Sequence, residues 1–194
     1  LNELLEEPTL KEFCLVGGTA LSLLYGHRKS VDLDLFNNQP FENEKVVEGL
    51  RNVFKERLVM EGKQPRFAIF CYIDNIKVDL VKLPIPLIRP IQTHEGIRMF
   101  STEDIIAMKV QAILGRGKKK DFWDIAELLQ HYTVEDFVNF HQEKYSQQNL
   151  LITVPQALTY FGDAEESEDP VSLKGQSWGK VKTFINKKVS AYLR

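Results

Sequence analysis

The sequence predicts an α+β protein: a small mixed sheet flanked by helices, then a helical C-terminal half. Three observations carry this reading. Short β-rich segments, "EFCLVGG", "SVDLDLF", "RFAIFCYI" and "IKVDLVKL", all fall before Pro84. Pro84, Pro86 and Pro90 then interrupt the chain. From Ser101 onward the apolar residues recur at helical spacing. The division expected is therefore residues 1–100 and residues 101–194.

Taken in order, residues 2–11 read as a short first helix. "EFCLVGG" is a buried strand that ends in glycine. "TALSLLYGH" is a short helix, with Thr19 placed to cap it and Gly26 to end it. "SVDLDLF" alternates and reads as a strand. Apolar residues at 46, 47, 50, 53, 54 and 58 give the helical spacing of an amphipathic segment. Asp74-Asn75 between two β-rich runs signals a hairpin. Residues 83–100 read as an irregular connection with one short strand. "STEDIIAMKVQAILG" opens with a Ser-x-x-Asp cap, and four further helical segments follow, one of them near and after Pro155. The last of these, "WGKVKTFINKKVSAYLR", is basic.

The chain's 194 residues suffice for a substantial core, and its 43% apolar and 27% charged residues are those of an ordinary globular protein. A net charge of −2 gives no global reason to expect nucleic-acid binding, so any such binding needs a local patch. The two cysteines, Cys14 and Cys71, lie in apolar segments without metal-ligand spacing. They read as buried hydrophobes in a reducing compartment. No apolar run is long enough to span a membrane, and "LNELLEEPTL" lacks a signal-peptide pattern. A cytoplasmic protein that does not engage a membrane is expected.

The chemistry concentrates in "LVGGTALSLLYGHRKSVDLDLF" and "IKVDLV". In a strand, residues i and i+2 share a face, so Asp32 and Asp34 project together while Leu33 and Leu35 pack behind. Two carboxylates this close repel, and a shared divalent cation removes the conflict. Hard oxygen ligands favour magnesium or manganese. Asp79 offers a third carboxylate. Three carboxylates on neighbouring strands can hold two ions a few ångströms apart, an arrangement suited to phosphoryl transfer. Upstream, Gly17, Gly18 and Thr19 join a strand to a helix start. Glycine allows close approach of a ligand, exposed N–H groups attract phosphate, and the Thr19 hydroxyl can donate one more bond. No Gly-Lys-Ser/Thr follows, which excludes a Walker A loop. An Asp-x-Asp glycosyltransferase would use the same cation but leaves Gly-Gly-Thr unexplained.

In order and spacing these residues resemble the DNA-polymerase-β-like nucleotidyltransferases. Gly18-Thr19, Asp32-x-Asp34 and Asp79 stand at that superfamily's signature positions. Within it, the chain is similar to the AbiEii/AbiGii toxin group, which includes the MenT-type toxins. "FSTEDIIAMKVQAILGRGKKKDFWDIAELL" matches the group's lysine-bearing helix, basic turn and Asp-x-x-Asp helix. The matching positions are Lys109, then Arg116, Lys118, Lys119 and Lys120, then Asp121 and Asp124.

The resemblance implies a nucleotidyltransferase core over residues 1–100, with the helical half completing the nucleotide and substrate cleft. It implies two Mg2+ or Mn2+ ions on Asp32, Asp34 and Asp79, and a nucleoside triphosphate as substrate. Gly17, Gly18, Thr19, Lys109, Arg116, Lys118 and Lys120 would bind the nucleotide. Asp121 or Asp124 would orient Lys109 or a basic-turn residue; as residues alone, Asp121 also suits a helix cap, and Lys109 suits snorkelling to the surface. The implied acceptor is the 3′ end of tRNA, the implied role that of a toxin in a type IV toxin–antitoxin or abortive-infection system, and the implied partner a cognate antitoxin. Adenylylation of a protein and silent nucleotide sensing are the alternatives. His27 and Arg28 are open between substrate contact and an exposed linker. His94, His131 and His141 show no metal-ligand spacing. Trp123 and Trp178 read as core. The basic last segment is open between an RNA-holding face and an ordinary solvated one.

Overall fold

A computed structural model describes all residues, 1–194. They form two compact units, residues 1–20 with 31–100 and residues 21–30 with 101–194.

The first unit is built on a seven-stranded mixed sheet. Its strands are β1 (Cys14–Val16), β2 (Leu33–Asn37), β3 (Leu58–Met60), β4 (Ala68–Ile73), β5 (Ile76–Lys82), β6 (Gln92–His94) and β7 (Ile97–Met99). Their spatial order is β3-β4-β5-β2-β1-β7-β6. β2 runs parallel to β5 and β1 parallel to β7, while the other neighbours are antiparallel. Leu15, Leu35, Ile69 and Leu80 on the central strands are fully buried. The helices are α1 (Asn2–Leu5) and α3 (Asn43–Phe54), the latter burying Val46, Leu50 and Phe54. α2 (Gly17–Tyr25) starts in this unit and ends in the second.

Several expectations are corrected here. The first helix stops at Leu5, and a 3-10 turn, Pro8–Leu10, follows. Pro8 pushes Glu7 into extended backbone, with ψ of 121°, so one continuous helix is excluded. Thr19 is no cap, because α2 already begins at Gly17. β2 begins at Leu33, so Asp32 precedes the strand that was expected to carry it. Leu58 lies on β3 rather than on the helix, which ends before Lys55, a residue at φ 48°. Residues 83–100 hold two strands, joined at Glu95 and Gly96 with φ of 48° and 80°. Such paired positive values are those of a tight hairpin turn, as at Asp74 and Asn75 with 51° and 63°.

The second unit is helical: α4 (Thr102–Arg116), α5 (Lys119–Leu128), α6 (Val134–Lys144), α7 (Val154–Thr159) and α8 (Trp178–Tyr192). Ser101 caps α4, its hydroxyl accepting from the Asp104 N–H at 3.1 Å and donating to the Asp104 carboxylate at 2.7 Å. Thr133 and Thr153 cap α6 and α7 in the same way. α4 packs against α5, α6 and α7, and α8 covers α5, α6 and α7. Inside, Lys144 and Asp104 form a fully buried ion pair at 2.6 Å. Trp123 is buried and stacks on Trp178, ring centroids 5.7 Å apart and 8° from parallel. Cys14 and Cys71 are buried free thiols, and burial pushes them up to about 11 and about 12. No helix is long and apolar enough to cross a membrane.

Candidate active site

In the first unit, the pairing of β2 with β5 sets Asp34 directly opposite Asp79. Paired residues on neighbouring strands present their side chains on the same face, so two carboxylates stand side by side on the central strands. Asp79 Oδ2 accepts from Lys77 Nζ at 2.9 Å. Its other oxygen, Oδ1, is buried without a hydrogen-bond partner. A buried carboxylate oxygen with no partner is costly to leave so, and a cation is its natural complement. Lys77 was missed in the sequence; its position two residues before Asp79, on the same strand face, was the available signal. The Lys77 ammonium is held above its usual range, chiefly by the bond to Asp79, with the Asp79 and Asp32 charges adding to it.

Gly17 has φ +69°, and a Cβ placed on it would lie 2.7 Å from Asp34 Oδ2. Glycine is therefore required twice, by the turn and by the approach of backbone to carboxylate. The same first turn of α2 brings the Thr19 hydroxyl to the main-chain carbonyl of Asp32, to which it donates. Gly17, Thr19, Asp32, Asp34 and Asp79 thus belong to one neighbourhood of the first unit, with Gly18 between the first two in the chain. The side chains present suit a hard divalent cation at Asp34 and Asp79, although no three His, Cys, Asp or Glu side chains form a ready-made metal cage.

The second unit contains a buried charge cluster centred on Asp124. Lys109 Nζ lies 2.7 Å from Asp124 Oδ2 and 2.9 Å from Asp121 Oδ1. Both aspartates therefore hold the lysine. Asp121 also accepts from the Lys118 N–H at 3.1 Å, which closes the first turn of α5. Arg28 donates to both oxygens of Asp124, from Nε at 2.6 Å and from Nη2 at 2.9 Å. His27 Nε2 lies 2.7 Å from Asp124 Oδ1. An ionised carboxylate needs a donor there, so the ring carries its proton on Nε2, and the buried Nδ1 has no partner.

Burial alone would raise the Asp124 carboxyl. Lys109, His27 and Arg28 outweigh it and hold the group well below the carboxylate range. Burial would likewise discharge Lys109, but Asp124 and then Asp121 keep its ammonium above the usual lysine range. His27 and Arg28 are 0% and 3% exposed, which excludes the exposed-linker reading. Main-chain bonds from Lys29 N–H to the Val171 carbonyl and from Leu173 N–H to the His27 carbonyl, both 2.9 Å, fasten this segment.

The basic turn is less concentrated. Lys119 pairs with Asp169 at 2.9 Å, and Arg116 and Lys120 face solvent. His94 and His131 are exposed, whereas buried His141 lies 3.0 Å from Gln111.

The family model for "Nucleotidyl transferase AbiEii toxin, Type IV TA system" matches residues 1–176. The uncharacterized protein aq_aa25 of Aquifex aeolicus (strain VF5) is 30% identical over 190 residues, covering 94% of this chain and 88% of that protein. Among solved structures, the nucleotidyltransferase toxin MenT4 (Rv2826c) of Mycobacterium tuberculosis H37Rv superposes with a TM-score of 0.66 at 11% identity, covering 97% of this chain and 80% of that one. JHP933 from Helicobacter pylori gives 0.53 at 15% identity, covering 99% and 91%. These two likenesses establish the shared fold. The chain belongs to the AbiEii family of nucleotidyl transferase toxins and is, on that membership, an enzyme of the nucleotidyltransferase class.

Proposed function

We propose that this protein transfers a nucleoside monophosphate from a nucleoside triphosphate to the 3′ end of tRNA, as the toxin of a type IV toxin–antitoxin system. The observation that carries the catalytic part is the Asp34–Asp79 pair, with Asp79 Oδ1 buried and unpartnered and the Gly17 backbone against Asp34. Asp32, Asp34 and Asp79 are the residues that would hold divalent cations. When bound, such ions supply Lewis acidity at the phosphates and lower the cost of charge on the attacking and leaving oxygens.

The remaining work falls to the chain. The N–H groups of Gly17, Gly18 and Thr19 open a nine-residue helix and suit the outer phosphates. Lys109 offers a cation for phosphate charge, with Asp121 and Asp124 keeping it charged and aimed. Arg116, Lys118 and Lys120 add positive charge on the turn before α5. An acceptor hydroxyl loses its proton near Asp79, its oxygen bonds to the α-phosphorus, and the bond to pyrophosphate breaks. Nucleotide added to the tRNA 3′ end blocks aminoacylation, which accounts for toxicity and for the cognate antitoxin that the family description implies.

The test is incubation of purified protein with magnesium, each labelled nucleoside triphosphate in turn, total tRNA and total cell protein. Label on tRNA is the expected result. Label confined to the protein fraction overturns the acceptor in favour of a protein-modifying enzyme. Bound nucleotide without pyrophosphate release overturns turnover itself and identifies a nucleotide-sensing regulator.

A further inference from the structure

The charge of this chain is unevenly distributed. Residues 170–194 hold six of its 25 Lys and Arg and none of its 27 Asp and Glu, leaving 19 against 27 in the rest. A strongly basic segment on an otherwise acidic chain marks a surface for a polyanion. Five of the six basic residues, Lys180, Lys182, Lys187, Lys188 and Arg194, lie on α8 or just beyond it. This helix lies outside the stretch that matches the family model, which ends at residue 176.

The helix presents its two faces differently. Val181, Ile185 and Val189 are buried, and Trp178 at its start stacks on Trp123 of α5. On the opposite side, Lys180 and Lys187 are exposed, two helical turns and about 10 Å apart. Lys188, half-buried, lies on the flank between that side and the buried face, its Nζ 5.4 Å from the centroid of the Phe184 ring. Lys182 is engaged by Glu165 at 2.7 Å, whereas Lys180, Lys187 and Lys188 make no ion pair within the chain. The result is two uncompensated ammonium groups on the outer face and a third on its flank, with the half-buried Phe184 ring between them, on a helix anchored by its other face.

We infer that the outer face of α8, through Lys180 and Lys187, together with Lys188 on its flank, docks the phosphate backbone of the RNA acceptor. The inference rests on the reading of RNA as acceptor and adds to it a surface remote in sequence from the catalytic residues. An anionic membrane is the less suited polyanion. An interfacial helix must bury its apolar face in lipid, and here that face is committed to the unit's core. Backbone phosphates need only charge at intervals, and each contact releases counterions, which makes binding steeply salt-dependent.

The experiment compares the full chain with its Lys180→Gln/Lys187→Gln/Lys188→Gln variant, using fluorescently labelled tRNA and anisotropy across a salt series. Near-identical circular dichroism and thermal melting establish that the variant is folded, and unchanged nucleoside-triphosphate binding serves as an internal control. The expected result is affinity at least tenfold lower at low salt, with the salt slope of log K reduced by about two to three. A Lys187→Arg variant should retain the wild-type slope. Wild-type affinity and slope in the folded triple variant overturn the proposal while leaving RNA as acceptor intact, provided wild-type protein still labels tRNA. Absence of tRNA binding and labelling by the wild type overturns both. Loss of binding to phosphatidylserine vesicles with tRNA binding unchanged overturns the proposal in favour of a membrane surface.

Discussion

Arg28 grips Asp124 with two N–H groups, at 2.6 and 2.9 Å, across 96 positions of sequence. The same carboxylate holds Lys109 at 2.7 Å, and all three side chains are buried. A planar guanidinium fits a carboxylate through parallel bonds, which an ammonium cannot reproduce. On the proposed function, Arg28 would position Lys109 through Asp124. Arg28→Lys should fold, yet raise the KM for nucleoside triphosphate more than it lowers kcat. Steady-state pyrophosphate release checks this, and a kcat effect with KM unchanged counts against it.

Replacing Asp124 itself has a larger predicted cost. Asp124→Asn leaves Lys109 and Arg28 buried with a weaker partner, a type of change that costs about 3–5 kcal/mol. Burial opposes the Asp124 charge, but its three partners outweigh burial and lower the folded pKa below that of the unfolded chain. The group therefore contributes fully above the unfolded value, about 4, and its contribution is lost as pH falls toward the folded one. Urea denaturation of wild type and variant should show a difference that is constant near neutrality and shrinks below about pH 4. A difference that grows on acidification contradicts the assignment.

At Gly17 a methyl group would meet Asp34 Oδ2 and would also sit at φ +69°. Gly17→Ala should destabilise the first unit by about 1–3 kcal/mol and reduce transfer more than that loss explains, because the carboxylate must move. Activity assayed well below the melting temperature separates the two effects. Full activity there would show that Asp34 does not need its present place.

Lys77 occupies one oxygen of Asp79 and leaves the other bare. If a divalent cation uses this carboxylate, Lys77 competes with it. Lys77→Met should then lower the magnesium concentration for half-maximal transfer by roughly two- to fivefold, the range expected for a partly exposed pair. An increase would instead make Lys77 a partner of the phosphates.

Much of the first unit was legible because its signals are local. Period-two alternation marked β2, β-rich runs on either side of Asp74-Asn75 marked β4, β5 and their hairpin, and Ser101 marked the start of α4. The proximity of Asp34 and Asp79 followed from placing two strands side by side. What escaped is non-local or short. β3 is three residues long and follows a helix whose spacing runs on to Leu58. Asp32 falls just before its strand, at a boundary that periodicity does not fix. His27 and Arg28 look like linker residues until Asp124, some 96 positions later, supplies their partner. Asp121 and Asp124 could not be ranked from spacing alone, since either can reach Lys109; in the structure both do.

The central claim is that Asp34 of β2 and Asp79 of β5, with Asp32 just before β2, support nucleotidyl transfer. Its most direct test is pyrophosphate release, with magnesium, nucleoside triphosphate and tRNA, by wild type and by the Asp32→Ala/Asp34→Ala double variant, each shown to be folded by circular dichroism. The account predicts release by the wild type and none above background by the variant. Equal release by the two folded proteins would contradict it.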